Sequence, residues 1–376
     1  MFPKLKFTAE EIENHYAHVT PAMVRSSLNA PRHTFFDLLN LLSVEAGKPE
    51  YRDAMRDVST LARRRHYGKT VSIFAPLYIS NTCVNSCRYC DFNIHHRAER
   101  KTLTLEEIDL ECAAIRKHGI DSLLIVAGED PKRMTVDFLC EVGRRLKDRF
   151  SCLSLEVAPQ EEDAYRKLFA AGFESLICFQ ETYHKENYNI YHPRGMKSRF
   201  EWRCNGFDRM GQAGVHSIGM GVLIGLEKEW RTDVTMMAYH LRYLQKHYWR
   251  TKYSVNFPRM RPAQNEGFQP NCIMTDRELA QATFAMRIFD HDVDISYSTR
   301  EPAYIRDNMC TLGVTTMSAQ SRVNPGGYHT YPQALEQFSV NDERTAKVID
   351  RRLRELGREP VWKDWDASFD LFGKAI

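Results

Sequence analysis

The sequence predicts an α/β fold: a closed (β/α)8 barrel of parallel strands, with a helical N-terminal extension and a C-terminal extension. Three observations lead there. Eight short β-rich runs recur along the chain, helical patterns separate them, and the chemically distinctive residues fall where the runs end. Strands alternating with helices make parallel βαβ units, and eight such units suggest closure into a barrel. An open doubly wound sheet is the alternative, because closure is not written in one sequence. The 376 residues suit one barrel of about 250 residues plus extensions.

Taken in order, residues 1–70 are mainly helical, with patterns at Ala22–Leu28, Phe35–Leu42 and Pro49–Tyr67. The strand runs follow within 71–324: Val71–Ser80, Ser122–Ala127, Cys152–Ala158, Ser175–Gln180, His216–Ile224, Tyr253–Pro258, Val293–Ser298 and Gly313–Ser318. Helix signals lie between them. Thr104 and Glu107 form a capping box, Ile108, Cys112 and Ile115 make an apolar stripe, and Gly119 ends it. Thr275 and Glu278 repeat the box before Leu279, Ala282, Met286 and Phe289, and Thr232–Tyr248 is another long helical pattern. The C-terminal extension, 325–376, holds the Gly326-Gly327 turn, a helix near Asn341–Leu356 and an aromatic tail, Val361 to Asp366.

Composition narrows the function. Hydrophobic residues make up 43% of the chain, enough for a large core and unlike a disordered segment. With 52 Lys and Arg against 49 Asp and Glu, the basic excess of a dedicated nucleic-acid binder is missing. Apolar runs such as Leu123–Ala127 fall far short of the roughly 20 residues that span a bilayer. The first residues mix Lys4, Lys6, Glu10, Glu11 and Glu13 with apolar side chains and show no signal-peptide core, so a cytoplasmic protein is expected.

The chain has ten cysteines. Seven are scattered singly, at 112, 140, 152, 178, 204, 272 and 310, and read as small buried hydrophobes. Cys83, Cys87 and Cys90 instead form a C-x3-C-x2-C cluster on the loop after the first strand. Such a cluster without a secretion signal reads as metal binding. A cubic iron–sulfur cluster takes four thiolates as a rule, so three leave one iron open to a substrate or cofactor. Structural zinc is the competing reading, with His95 or His96 completing a Cys3His set.

This motif, with Tyr89 before the last cysteine, resembles the radical S-adenosylmethionine (SAM) superfamily. The resemblance implies a [4Fe–4S] cluster on Cys83, Cys87 and Cys90, with SAM on the open iron and an external one-electron reductant. It also implies the SAM contacts. Ala127-Gly128-Glu129 is similar to the family's Gly-Gly-Glu element, with Ala in place of the first Gly, and points to Glu129 for the SAM amino group. Glu181, at the end of the fourth strand, is the ribose candidate, and Arg203 matches a position that pairs with the SAM carboxylate. The bland alternatives are a plain strand–helix turn for Ala127–Glu129 and an exposed helix Arg for Arg203. Gly219, Gly221 and Gly225 resemble a strand packed by the adenine, although glycines in strands often only permit close packing.

A longer resemblance runs over the whole chain, to the ThiH-type tyrosine lyases, the 2-iminoacetate synthases. It is carried by Pro76–Asn81, Gln180–His184, Asp208–Gly211, Phe257–Pro262, Ser298–Glu301, Pro325–Tyr328 and Trp362–Asp366. It implies cleavage of the Cα–Cβ bond of L-tyrosine to 2-iminoacetate and 4-methylphenol (p-cresol), feeding thiazole formation in thiamine biosynthesis. A thiazole synthase is then the implied partner, with Trp362 and Trp365 as candidate anchors or simply barrel packing. Tryptophan lyase is the substrate alternative. Hydrogenase-maturation relatives carry a second C-terminal cysteine cluster, and no cysteine follows Cys310 here. A tyrosine zwitterion needs a cation for its carboxylate, and Arg300, at the end of the seventh strand, offers a bidentate fork. Arg259 and Arg261 compete for that role, and Ser298 and Ser318 are weaker candidates for the amino group. Tyr183 and His184 are open as phenol contacts or core.

Overall fold

The computed structural model describes residues 7–261 and 268–363. Lys4, Lys6, Pro262, Asp364, Trp365 and Asp366 lie outside the described residues.

Eight parallel strands close a barrel: β1 (Thr70–Ser80), β2 (Ser122–Ala127), β3 (Cys152–Glu156), β4 (Ser175–Glu181), β5 (Ser217–Val222), β6 (Lys252–Asn256), β7 (Asp294–Tyr297) and β8 (Thr316–Ser318). They pair in chain order, β8 returns to β1, and the β1–β2 pairing closes the ring. The open-sheet alternative is therefore excluded. The expected strands all occur, but the third, fifth, sixth, seventh and eighth are shorter than their β-rich runs. His216 and Thr315 precede the fifth and eighth strands and still bond to the neighbouring strands through their backbone.

The strands turn a set of apolar residues outward to the helices. Leu153 and Leu155 of β3 are buried in the main apolar cluster, with Leu123 and Ile125 of β2 beside them. Inward positions break the usual rule that branched side chains fill a barrel. Ser72, Ser122, Ser154, Ser175, Ser217, Ser254, Ser296 and Thr316 face the axis and leave a cavity of ≈ 320 Å³.

The capping boxes form as expected. Thr104 caps helix Leu105–Lys117 with Glu107, and Thr275 caps Asp276–Phe289 with Glu278. The N-terminal helices Pro21–Leu28, Phe35–Leu42 and Pro49–Tyr67 pack outside the barrel. Gln281 anchors them by donating to the carbonyls of Leu41 (2.9 Å) and Ser43 (2.8 Å). The C-terminal extension is not a separate body. After helix Ala346–Glu355, a ninth strand, β9 (Glu359–Val361), pairs with the first residues of β1 at the base of the barrel. Trp362 packs there, and Lys363 Nζ sits 3.1 Å from Glu174.

Candidate active site

The cysteine loop is held from outside itself. Arg100 donates to the carbonyls of Asn81 (2.8 Å), Phe92 (3.2 Å), Asn93 (2.5 Å) and His96 (3.1 Å), so one guanidinium gathers four turns of the loop. Val84 N–H donates to the Glu129 carbonyl (3.0 Å) and Ser86 N–H to that of Arg194 (3.1 Å). Gly128 has no alternative here, since a Cβ would lie 2.2 Å from the Thr82 oxygen. Gly195, at φ +100°, likewise lets the chain press against Asn85.

Cys83, Cys87 and Cys90 all line the upper end of the axial cavity. Burial pushes the three thiols up, Cys90 to about 11, while Lys197 pulls each of them down. Asn85 Nδ2 lies 3.5 Å from Cys83 Sγ and Gln337 Nε2 3.8 Å from Cys90 Sγ, so two sulfurs already face amide donors. The zinc reading finds no support. Among the described residues no three His, Cys, Asp or Glu side chains converge on a single-ion site. His96 Nδ1 is turned to the Asp91 carbonyl at 2.8 Å.

The other candidates surround the same cavity. Glu129 is committed on both oxygens: Arg203 Nη2 lies 2.5 Å from Oε1, and Asn85 Nδ2 donates to Oε2 at 2.8 Å. Arg203 is thus buried and paired rather than exposed on its helix, and its Nε has no partner. Glu181 follows a bulge in the β4–β5 ladder and adopts φ +74°, an uncommon conformation for a non-glycine residue that often marks function. Its Oε1 is 2.6 Å from Lys197 Nζ. The Tyr89 hydroxyl lies 2.8 Å from His192 Nε2, whose Nδ1–H donates to the Tyr188 carbonyl, so Tyr89 is the donor.

The three arginines separate cleanly. Arg259 is tied to Glu301, Asp276 and the Met274 carbonyl, a structural cluster. Arg261 Nη2 donates to Asn341 at 3.0 Å. Arg300 lines the cavity, stacks 3.4 Å from the Phe338 ring centre and pairs with no carboxylate among the described residues. Ser298 and Ser318 accept from the Arg300 and Thr299 amides, at 3.3 and 3.1 Å, which is a backbone role. Tyr183 is buried in the core, 2.9 Å from His240 Nδ1. Gly219 and Gly221 are covered by Ile177 and Phe179, the close-packing role.

Sequence reasoning missed Lys197, Asn85 and Glu156. Glu156 ends β3 and faces the cavity, so the strand-end rule that selected Arg300 applied to it too. Lys197 carried no such signal, because it sits in a short turn whose path only the fold reveals.

The comparisons with known proteins give the family. The chain matches the Radical SAM superfamily over residues 77–237 and the Biotin and Thiamin Synthesis associated domain over 256–359. It is 41% identical over 348 residues to the 2-iminoacetate synthase of Escherichia coli (strain K12), covering 93% of this chain and 92% of that one. The chain belongs to the 2-iminoacetate synthase family. A second such synthase, from Salmonella typhimurium, is 40% identical over the same share of both chains. Among solved structures, the [FeFe]-hydrogenase maturase HydG superposes with a TM-score of 0.87 at 28% identity, covering 97% of this chain and 84% of that one. Membership of the 2-iminoacetate synthase family, within the radical SAM superfamily, implies a [4Fe–4S] cluster and SAM. The unpaired Arg203 Nε and the three cavity-lining thiols are consistent with those guests. No helix of the described residues is long and apolar enough to cross a membrane.

Proposed function

We propose that this chain is a radical SAM carbon–carbon lyase that cleaves the Cα–Cβ bond of L-tyrosine. The products are 2-iminoacetate and p-cresol, with SAM converted to 5′-deoxyadenosine and methionine, and the 2-iminoacetate supplies thiazole formation in thiamine biosynthesis. One observation carries the substrate reading: Arg300 is a half-buried cation facing the cavity, with no carboxylate partner among the described residues. Such a charge is costly unless an anion meets it. An amino-acid carboxylate suits its planar fork.

Cys83, Cys87 and Cys90 would hold the cluster. Glu181 would accept from the SAM ribose, Arg203 and Glu129 would take its methionine end, and Tyr89 would line the same site. When bound, cluster and SAM supply a 5′-deoxyadenosyl radical that removes one substrate hydrogen. The chain's own residues orient the substrate and exclude water. Tyr78, Phe92, Leu124, Val126 and Val323 wall the cavity with apolar surface beside the polar groups.

A low-potential electron donor and a thiazole synthase are the proposed partners. The imine product hydrolyses in water, which favours direct transfer. Trp362 is a weak anchor for it, because it packs against the barrel base. Pull-down with thiazole synthase at micromolar concentration tests the stable complex. An anaerobic assay with tyrosine, SAM and reductant, read for p-cresol, tests the activity. An indole-derived product from tryptophan, with no p-cresol from tyrosine, would replace this substrate by tryptophan.

A further inference from the structure

Glu156 is the last residue of β3, and Arg300 follows the end of β7. These strands stand four apart in either direction round the eight-strand ring, so the two side chains reach into the cavity from opposite walls. Glu156 is flanked on its own level by Val126 of β2 and Ile177 of β4, both apolar and both lining the cavity. Among the described residues it makes no hydrogen bond or ion pair. Of the three cations that act on it, Lys197 is committed to Glu181 and Arg203 to Glu129, which leaves Arg300. A carboxylate with apolar neighbours and no partner has the same unmet need as Arg300, with the opposite sign.

We propose that Glu156 completes the amino-acid site: its carboxylate binds the α-ammonium group of the substrate opposite Arg300 and accepts one of its protons. This rests on the tyrosine-lyase reading and deepens it. In the transfer one ammonium N–H bond breaks and one carboxyl O–H bond forms. R–NH3+ and –COO− become R–NH2 and –COOH, and no electron changes hands. The step cancels two charges, which a dry cavity favours and water does not. It delivers the neutral amine, the form that would offer an N–H hydrogen to the radical.

The electrostatics agree. Burial and the neighbouring Glu181 push the Glu156 carboxyl up to about 7, while Lys197, Arg300 and Arg203 pull it down. Tyr78 also faces both Glu156 and Arg300. The group is thus poised to hold a proton near neutrality.

The test compares L-tyrosine with 3-(4-hydroxyphenyl)propanoate, which lacks only the amino group. Binding is measured by equilibrium dialysis on cluster-loaded protein with SAM. Wild type should prefer tyrosine by about tenfold or more, the size of a charged hydrogen bond. Glu156→Gln should lose that preference and keep the affinity for the analogue, the iron content and the SAM affinity. Formation of p-cresol should fall by about 100-fold, the lower range for a lost general base. Glu156→Asp should restore part of it. In wild type p-cresol formation should rise with pH through neutrality, and Glu156→Gln should lack that limb. Equal binding of tyrosine and analogue by wild type would overturn the proposal without any variant. So would a Glu156→Gln protein with wild-type preference and wild-type p-cresol rate. Absence of p-cresol from wild type would overturn the tyrosine reading itself, and the proposal with it.

Discussion

Arg203 and Glu129 form a buried ion pair, Nη2 to Oε1 at 2.5 Å, that joins the helix after β4 to the turn after β2. The pair lies beside the cysteine loop, because Asn85 bonds the other Glu129 oxygen. Two residues expected to meet SAM therefore also hold each other. Removing one leaves an uncompensated buried charge, which costs about 3–5 kcal/mol. Arg203→Ala should lower stability by that order in denaturant unfolding, as well as weakening SAM binding. Lost SAM binding with unchanged unfolding would show that the pair carries no structural load.

Each cysteine of the loop is expected to supply one thiolate. Anaerobic reconstitution should give about four irons per chain. Cys83→Ala, Cys87→Ala and Cys90→Ala should each leave an unstable cluster and no SAM cleavage. Cys112→Ala, Cys140→Ala and Cys310→Ala should keep both. A Cys87→Ala protein that cleaves SAM at the wild-type rate would refute the ligand set.

Glu181 faces two demands, since it pairs with Lys197 and is expected to accept from ribose. Losing a charged hydrogen bond costs about 1.5–3 kcal/mol, so Glu181→Gln should weaken SAM binding by roughly 10- to 150-fold with the cluster intact. Lys197→Met removes the partner and should leave the ribose contact in place. SAM titration of both variants separates the roles. Equal loss in both would mean that the pair, not the ribose contact, matters.

Arg300→Ala should keep cluster and SAM binding but abolish p-cresol formation, and abortive deoxyadenosine should rise. Arg300→Lys retains charge without the planar fork and should rescue only part. The ratio of p-cresol to deoxyadenosine, under one reductant, decides. A wild-type ratio in Arg300→Ala would move the carboxylate site to Arg261, because Arg259 is occupied by Glu301 and Asp276.

His240 is fully buried beside Tyr183, and burial lowers its pKa to about 3. The folded state thus keeps it neutral while the unfolded chain protonates near pH 6.5. Its contribution to stability is complete above that value and drains away as pH falls towards the folded pKa. Between pH 7.5 and pH 5 this should cost about 2 kcal/mol. Urea unfolding of wild type against His240→Gln should show that difference in pH slope. Parallel slopes would mean that His240 is not the titrating group.

By itself the sequence determined the alternation of eight strands with helices, the spacing of the cysteine loop and the strand ends that line the cavity, while closure into a ring belongs to the fold. Periodicity, capping boxes such as Thr104–Glu107, and the C-x3-C-x2-C spacing are local signals, and local signals survive in one dimension. It favoured Arg300 by the strand-end rule, yet nothing in it showed that Arg259 is already paired. That distinction depends on which carboxylates reach each guanidinium, and Glu301 and Asp276 are placed by the folding of distant helices. The same holds for Lys197, 112 positions from Asn85 in the chain but bonded to it through its amide at 2.8 Å. Glu156 was an ordinary residue of a short strand until closure put β3 opposite β7. Pairing and burial across a cavity are properties of the closed ring, because a side chain's charge partner and its dielectric surroundings come from residues far away in sequence.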